Sequence, residues 1–287
     1  MAETLRDLVA AELGQPVDPR VSAMAAAIAD RHGGASRAVL FYGSCLRQRQ
    51  LEGLMIDFYL IVSDYGSAYD KRWLAIANRL IPPNVFPFQH DGLAAKYAVL
   101  SERDFCRLNG PETRNVSVWA RFAQPSRLVW TADEHAAQAA IGAVSRAAPT
   151  LLAAAGRIEG ERPLDWWRRA FALTYSAELR AERTARSGSV VDADIERYEL
   201  FSPAVIAAID PLAQSGGWLR RRIEGKLLSV LRLAKASATY AGGAEYIAWK
   251  INRHAGTKIE LKPWQKRHPL LAAISLLPRL LRSGAIR

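Results

Sequence analysis

The chain has 287 residues, of which 50% are hydrophobic and 23% are charged, a composition typical of a folded globular protein. No apolar run has the length of a membrane-spanning helix, and the opening residues, MAETLRDLVAAELGQP, carry acids where a secretory signal carries cations. We therefore expect a cytoplasmic protein. Its two cysteines, Cys45 and Cys106, are too few for a disulfide framework and are expected to be free thiols.

The excess of basic residues lies at one end of the chain. The whole sequence has 39 Lys and Arg against 28 Asp and Glu, which gives a net charge of +11. Residues 218–287 alone hold 15 basic and three acidic side chains, so the preceding part is nearly neutral. Such asymmetry predicts a polyanionic partner, either an anionic membrane surface or nucleic acid. A solvated basic face is the alternative interpretation.

The first half of the chain predicts a small sheet with flanking helices. Residues 1–33 have the spacing of two helices, and residues 37–62 predict a strand, a turn and a second strand. A helix is expected over KRWLAIANRLI, and short strands over VFPF, KYAVLS and SRLVW. This part therefore belongs to the α+β class.

The second half predicts helices only. A helix begins near Pro163 and is expected to continue to about Ala185, and further helices are expected over residues 192–208 and 218–240. The predicted organisation has three parts: an α+β domain over residues 1–135, a helical domain over residues 136–262 and a basic amphipathic tail over residues 263–287.

One carboxylate is conspicuous in the second predicted strand, MIDFYLIV. Side chains alternate between the two faces of a strand, so every second residue from Ile56 to Val62 forms an apolar face and Asp57 lies on the other face. Burying an unpaired carboxylate is costly. Asp57 is therefore expected to have a cation, hydrogen-bond donors or a metal ion beside it.

A Gly-Ser turn precedes this strand. Gly43 would let backbone N–H groups approach a phosphate closely, Ser44 adds a hydroxyl donor, and Arg47 follows. A phosphate-binding turn beside a magnesium-binding Asp is the minimal equipment for nucleotidyl transfer. The alternative is that Asp57 is a structural acid held by donors in an ordinary α+β domain.

Longer motifs resemble those of one enzyme family. YGSCLRQ, MIDFYLIVSDY, AKYAVLS, WARFAQPSRLVW and LTYSAELR occur in the order, and at roughly the spacing, of the mitochondrial-type phosphatidate cytidylyltransferases. These CDP-diacylglycerol synthases belong to the polymerase-β-like nucleotidyltransferase superfamily, which usually has two acids spaced Asp-x-Asp. In this chain, Tyr59 holds the position of the second acid. The mitochondrial-type family also carries Asp-Phe on this strand rather than Asp-x-Asp, as this chain does at Asp57 and Phe58. The resemblance covers about residues 39–183.

The resemblance implies a fold, a reaction and a location. The fold would be a nucleotidyltransferase-like domain, followed by a helical, winged-helix-like domain and a membrane-binding segment. CTP and phosphatidic acid would give CDP-diacylglycerol and pyrophosphate, with Mg²⁺ as cofactor, at the inner face of the cell membrane. The implied catalytic residues are Ser44, Asp57, Lys96 and Glu178. The implied nucleotide-binding residues are Gly43, Ser44, Arg47, Lys96 and Arg121, and the implied metal ligands are Asp57 and Glu178.

Simpler roles stay open for three of these residues. Lys96 could be a surface lysine at a strand start, and Arg121 could be part of a salt bridge. Glu178 would share a helix face with Tyr175 and Glu182, where it could be a solvated acid paired with arginines.

The C-terminal segment KRHPLLAAISLLPRLLRSGAIR predicts a basic amphipathic helix that lies in a bilayer interface. A terminal helix packed on the core is the alternative. The lipid-contacting residues expected here are Lys266, Arg267, Leu270, Leu271, Ile274, Leu277, Arg279, Leu281 and Arg282. In the preceding helix, Arg220, Arg221 and Arg222 could also contact phosphatidic acid. The apolar stripe of that helix, which includes Leu219, Ile223 and Leu227, is expected to face the core.

Two other functions remain open. A nucleotidyltransferase that acts on RNA or another phosphate acceptor would use the basic residues to bind a polyanion. A phosphate-binding surface needs no apolar stripe, however, so nucleic acid is the less favoured partner. A non-catalytic lipid-binding relative would keep the fold without a complete metal site.

Overall fold

The computed structural model describes residues 3–48, 50–178, 189–210 and 215–239. The strands in this part of the chain are β1 (Ser36–Tyr42), β2 (Met55–Val62), β3 (Asn84–His90), β4 (Leu93–Ser101) and β5 (Ser126–Thr131). They form one five-stranded sheet in the order β3-β4-β2-β1-β5. Strand β2 is parallel to β4, and the other neighbouring pairs are antiparallel. The predicted α+β class is confirmed.

The helices of the first half are α1 (Leu5–Leu13), α2 (Pro19–Asp30), α3 (Ser44–Gln48), α4 (Tyr65–Ala68), α5 (Arg72–Leu80), α6 (Glu102–Asn109) and α7 (Trp119–Phe122). Those that follow are α8 (Glu134–Ser145), α9 (Ala147–Ala155), α10 (Pro163–Ala177), α11 (Ser189–Asp192), α12 (Ile195–Ala207) and α13 (Trp218–Thr239). Local signals start several of them. The Thr4 side chain caps α1, and Asp18 followed by Pro19 begins α2.

One face of the sheet packs on α2 in a mainly apolar layer. Ile56, Phe58, Leu60 and Val62 of β2 are all fully buried there, together with Met24 of α2. The alternation of apolar residues in β2 predicted this face. Because its core contacts are apolar side chains, this layer contributes packing rather than chemistry.

The opposite face of the sheet packs on helices from both halves of the chain. Tyr59 and Ile61 belong to a buried cluster that also contains Phe122 of α7, Trp167 of α10 and Tyr198 of α12. The core therefore continues across the predicted domain boundary at residue 135. The described residues beyond that boundary are helical or irregular and include no strand.

Two local predictions are wrong. Helix α10 ends at Ala177, and Glu178 has extended backbone angles, so Tyr175 and Glu178 do not share a helix face. The reason is that the Glu178 side chain is buried, 3.5 Å from the guanidinium of Arg121. Glu182, the third member of that predicted face, lies outside the described residues.

The apolar stripe of α13 is the second wrong prediction, because it faces outward. Leu219, Ile223 and Leu227 are 74%, 61% and 58% exposed. Helix α13 packs on α10 and β3 through other residues, and its Gly225 comes directly against the backbone of Ala177. The predicted tail over residues 263–287, with all of its expected lipid contacts, lies outside the described part of the chain. Among the described helices, none has the length and apolar character that a membrane crossing requires.

Candidate functional site

Asp57 lies within the sheet, between two neighbouring strands. In the strand register it is opposite Tyr42 of β1 on one side and Lys96 of β4 on the other. The Lys96 ammonium nitrogen is 3.0 Å from Asp57 Oδ1, and the Asp57 side chain is 18% exposed. Of the three partners expected for this acid, namely a cation, hydrogen-bond donors or a metal ion, the structure shows a cation, and Lys96 is not a free surface lysine.

The Gly43 turn lies directly against the same carboxylate. Gly43 has a φ of 95°, a conformation that side chains with a Cβ rarely adopt. A Cβ at this position would lie 3.0 Å from Asp57 Oδ2. Only glycine lets the turn come this close, so the two features that the sequence pattern linked form one structural unit. Ser44 follows as the first residue of α3.

Arg121 brings a second cation to this face of the sheet. It lies in the short helix α7, where its guanidinium is 3.5 Å from Glu178 Oε1 and also donates to the carbonyl of Ser117. Burial lowers the pKa of Arg121, but Glu178, followed by Tyr59, Tyr42 and Asp57, outweighs burial and holds the pKa above its ordinary value. Arg121 therefore carries a permanent charge within reach of both acids.

Two tyrosines complete the surroundings of Asp57. Tyr42 and Tyr59 have ring centroids 5.3 Å apart, and Tyr59 also packs against Phe122. Burial raises the pKa of both phenols, and the negative charge of Asp57 raises them further. Both tyrosines are therefore neutral at physiological pH, and neither acts as a base.

The acids near this site fit a magnesium ion only if the phosphates of a substrate supply further ligands. Among the described residues, no group of three or more His, Cys, Asp or Glu side chains is placed to hold a metal. Mg²⁺ is commonly held by one or two carboxylates together with the phosphates of its substrate. Asp57, beside a glycine turn where a side chain would not fit, suits that arrangement. Glu178 contacts Arg121, so its role as a second metal ligand stays a prediction.

Arg47 lies in a different contact set. Its guanidinium donates to Gln124 Oε1 at 3.0 Å. It also lines an open pocket of about 670 Å³, together with Phe41, Arg127 and Asp194. The structure thus brings together Gly43, Asp57, Lys96, Arg121 and Glu178. Arg47 instead contacts Gln124 and lines this pocket.

Sequence reasoning missed Arg232 of α13. This arginine donates from Nε to the carbonyl of Pro82 at 2.8 Å and from Nη1 to Ser117 Oγ at 2.9 Å. Its one sequence signal is its position between Leu231 and Leu233, which places a charge in an apolar stretch of a helix.

The three consecutive arginines at the start of α13 all have protein partners. Arg220 pairs with Glu224 at 2.7 Å, Arg221 donates to the carbonyl of Arg114 at 3.1 Å, and Arg222 donates to the hydroxyl of Ser176 at 3.2 Å. Arg220 and Arg222 remain on the solvent side, whereas Arg221 is partly buried. Their predicted contact with lipid stays a prediction.

Comparison with models of known protein families gives no match for this sequence, and a search of the curated proteins finds no significant match.

Proposed function

We propose that the protein is a phosphatidate cytidylyltransferase, which transfers CMP from CTP to phosphatidic acid and releases pyrophosphate. One observation carries the proposal: Asp57 is held between the Lys96 ammonium group and the Gly43 turn, with Arg121 on the same face. A carboxylate next to a glycine turn and two cations suits a nucleoside triphosphate with its metal ion. The order of the sequence motifs supports a nucleotidyltransferase-like fold for the sheet.

The roles of the residues follow from the charges they would face. The Gly43 turn and the Ser44 hydroxyl would hold phosphate oxygens, and Lys96 and Arg121 would neutralise their charge. Asp57 would bind Mg²⁺, which supplies positive charge between the phosphates when bound. The attacking lipid phosphate is already anionic, so the reaction requires alignment and charge neutralisation rather than a strong base. The two neutral tyrosines near Asp57 agree with this requirement.

The outward face of α13 supports a membrane-bound acceptor. Leu219, Ile223 and Leu227 form an exposed apolar stripe, and the exposed basic residues Arg220 and Arg222 lie on the same helix. A helix with an apolar face and neighbouring cations binds at the interface of an anionic bilayer, where each basic residue near the surface contributes about 1 kcal/mol. We therefore place the enzyme at the inner face of the cell membrane, where phosphatidic acid would reach it.

A labelling assay tests the reaction. Purified protein is incubated with Mg²⁺, vesicles that contain phosphatidic acid, and each of the four ribonucleoside triphosphates in labelled form. We expect labelled lipid from CTP only, and none from the Asp57→Ala variant. The matched control is Asp91→Asn, because Asp91 is an exposed acid in the β3–β4 turn. Equal product from Asp57→Ala and the parent would remove Asp57 from the mechanism.

Co-sedimentation with vesicles tests the membrane contact. Phosphatidic acid vesicles should bind the parent and should bind the double variant Ile223→Asp, Leu227→Asp much less. The control is Ile158→Asp, which introduces an acid at an exposed isoleucine that is not part of α13. Retained binding by the double variant would show that the α13 stripe is not the contact with the membrane. Tighter binding to RNA than to vesicles would favour a polynucleotide acceptor instead.

A further inference from the structure

Helix α13 brings Arg232 to the same side of the sheet as Arg121. Gly225 allows the helix to lie directly against the end of α10, since a Cβ at Gly225 would collide with the carbonyl of Ala177. About two turns further along, Arg232 reaches the carbonyl of Pro82 and the hydroxyl of Ser117. Arg232 is therefore fixed by the fold and does not extend freely into solvent.

Ser117 joins the two arginines. Its carbonyl accepts a hydrogen bond from Arg121 Nη1, and its hydroxyl accepts one from Arg232 Nη1 at 2.9 Å. Two guanidinium groups that meet at one serine repel each other. Within the described chain, Glu178 is the acid that pairs with Arg121, and no carboxylate forms an ion pair with Arg232. Two acids, Asp57 and Glu178, thus face three cations, Lys96, Arg121 and Arg232.

One donor group of Arg232 has no described partner. The Nη2 nitrogen is buried, and none of the residues that the structure describes accepts a hydrogen bond from it. Burial lowers the pKa of Arg232. Tyr59 and Glu178 oppose this, whereas the neighbouring Arg121 lowers the pKa further, and the net direction is downward. A guanidinium nevertheless keeps its charge at physiological pH, so the arrangement favours an added anion.

We propose that Arg121 and Arg232 together bind a phosphate group, and that Ser117 sets the spacing between them. The planar donor forks of two arginines match the oxygens of a phosphate better than ammonium groups do. The phosphate could belong to the nucleotide or to the acceptor lipid. That assignment rests on the proposed function, whereas the binding of phosphate itself does not.

Isothermal titration calorimetry of the whole chain tests this site without turnover. The probes are inorganic pyrophosphate, which represents the nucleotide phosphates, and glycerol 3-phosphate, which represents the lipid headgroup. The variants are Arg232→Lys, which keeps the charge but loses the fork, and Arg232→Met. Lys226→Met, at an exposed lysine of the same helix, is the matched control. The thermal midpoint of each variant shows whether it is folded.

We expect the parent and Lys226→Met to bind at least one probe with equal affinity. Arg232→Lys should bind it about tenfold more weakly, because the charge remains but hydrogen bonds from the guanidinium fork to the phosphate are lost. Preference for pyrophosphate would assign the site to the nucleotide, and preference for glycerol 3-phosphate would assign it to the acceptor.

Parental affinity in the folded Arg232→Lys variant, or no binding of either probe by the parent, would overturn the proposal. If Arg232→Met does not fold, Arg232→Lys decides alone. The proposed function fails separately: phosphate binding that depends on Arg232 in a protein that does not use CTP would leave this site standing.

Discussion

The two faces of the central strand β2 differ in what they contact. On one face, Phe58 and its apolar neighbours in β2 pack against α2, and β2 itself places no acid or cation there. On the other face, Asp57 touches Lys96, and α7 supplies Arg121 above the sheet. Along β2, one alternating set of residues is entirely apolar core, whereas the other combines the core residues Tyr59 and Ile61 with the charged Asp57.

Burying the charges of the Asp57 face costs free energy when no ligand is bound. Buried apolar side chains gain free energy by leaving water, whereas buried charges lose hydration and need partners. Lys96 and Glu178 provide part of that compensation for Asp57 and Arg121. Substitutions on the two faces should therefore affect different quantities, namely activity on one face and folding stability on the other.

The largest expected effect is on activity, from Asp57→Asn. The change keeps the shape of the side chain but removes its charge, so the protein should stay folded and lose CMP transfer by roughly a thousandfold. Transfer rates and thermal midpoints of the variant and the parent measure this. Asp91→Asn, in the exposed turn, should have parental activity. A rate within tenfold of the parent for Asp57→Asn would contradict the role of Asp57.

Phe58→Ala should have the opposite result, because it acts on the apolar face. Phe58 is fully buried, so truncation should lower the free energy of unfolding by about 3–5 kcal/mol. Urea denaturation measures this loss, with Leu80→Ala, at a 73% exposed leucine, as the control. The fraction that remains folded should keep the activity of the parent. A specific loss of activity in that fraction would show that the two faces are not independent.

Gly43→Ala should lower both the activity and the free energy of unfolding, but each by less than the two preceding variants do. The positive φ of Gly43 strains any other residue by about 1–3 kcal/mol, and the new Cβ would press on Asp57. Gly53→Ala is the matched control, because Gly53 has a φ of 72° and a Cβ there would meet open space, with no neighbouring atom within 4 Å. Both variants should lose stability, Gly43→Ala at least as much as Gly53→Ala, and only Gly43→Ala should lose activity as well. Equal activities would show that the turn does not need to touch Asp57.

The smallest expected effect is a pH dependence that comes from α13. Burial, and then the nearby Arg232, lower the pKa of Lys235 to about 7, from an ordinary value of 10.5. Between these two values the unfolded chain binds more protons than the folded one, so the contribution of Lys235 to stability rises with pH. Below pH 7 both states are protonated and the destabilisation is complete.

Urea denaturation at pH 6.5 and pH 9 measures this contribution. Relative to the parent, Lys235→Met should be more stabilising at pH 6.5 than at pH 9. Lys226→Met, at the exposed lysine of α13, should show the same difference from the parent at both values. A constant difference for Lys235→Met as well would mean that Lys235 titrates as it does in water.

The sequence pattern predicted the two faces of β2 and the glycine turn beside Asp57. Alternation along β2 separated Asp57 from Phe58. The pairing of β2 with β4, which brings Lys96 opposite Asp57, was not predicted. The contact between the Gly43 turn and Asp57 followed from the conformational freedom of glycine. The alternation lies within one strand, and the turn lies near that strand in the sequence, so a one-dimensional pattern was sufficient for these two features.

Other features depended on packing between distant segments. The end of α10 at Ala177 reflects the pairing of Glu178 with Arg121, which lies 57 residues earlier in the sequence. The direction of the α13 stripe depends on which side of that helix meets α10. Arg232 reaches Ser117 only because α13 docks as it does. Neither helical spacing nor residue type contains that information.

The most direct test of the proposed reaction compares CTP labelled at the α-phosphate with CTP labelled at the γ-phosphate. Both are incubated with the purified protein, Mg²⁺ and vesicles of phosphatidic acid, and the label in the lipid is measured. CMP transfer predicts lipid label from α-labelled CTP only, and its loss in Asp57→Asn. Label transferred from the γ-phosphate, or no lipid label from either nucleotide, would contradict it.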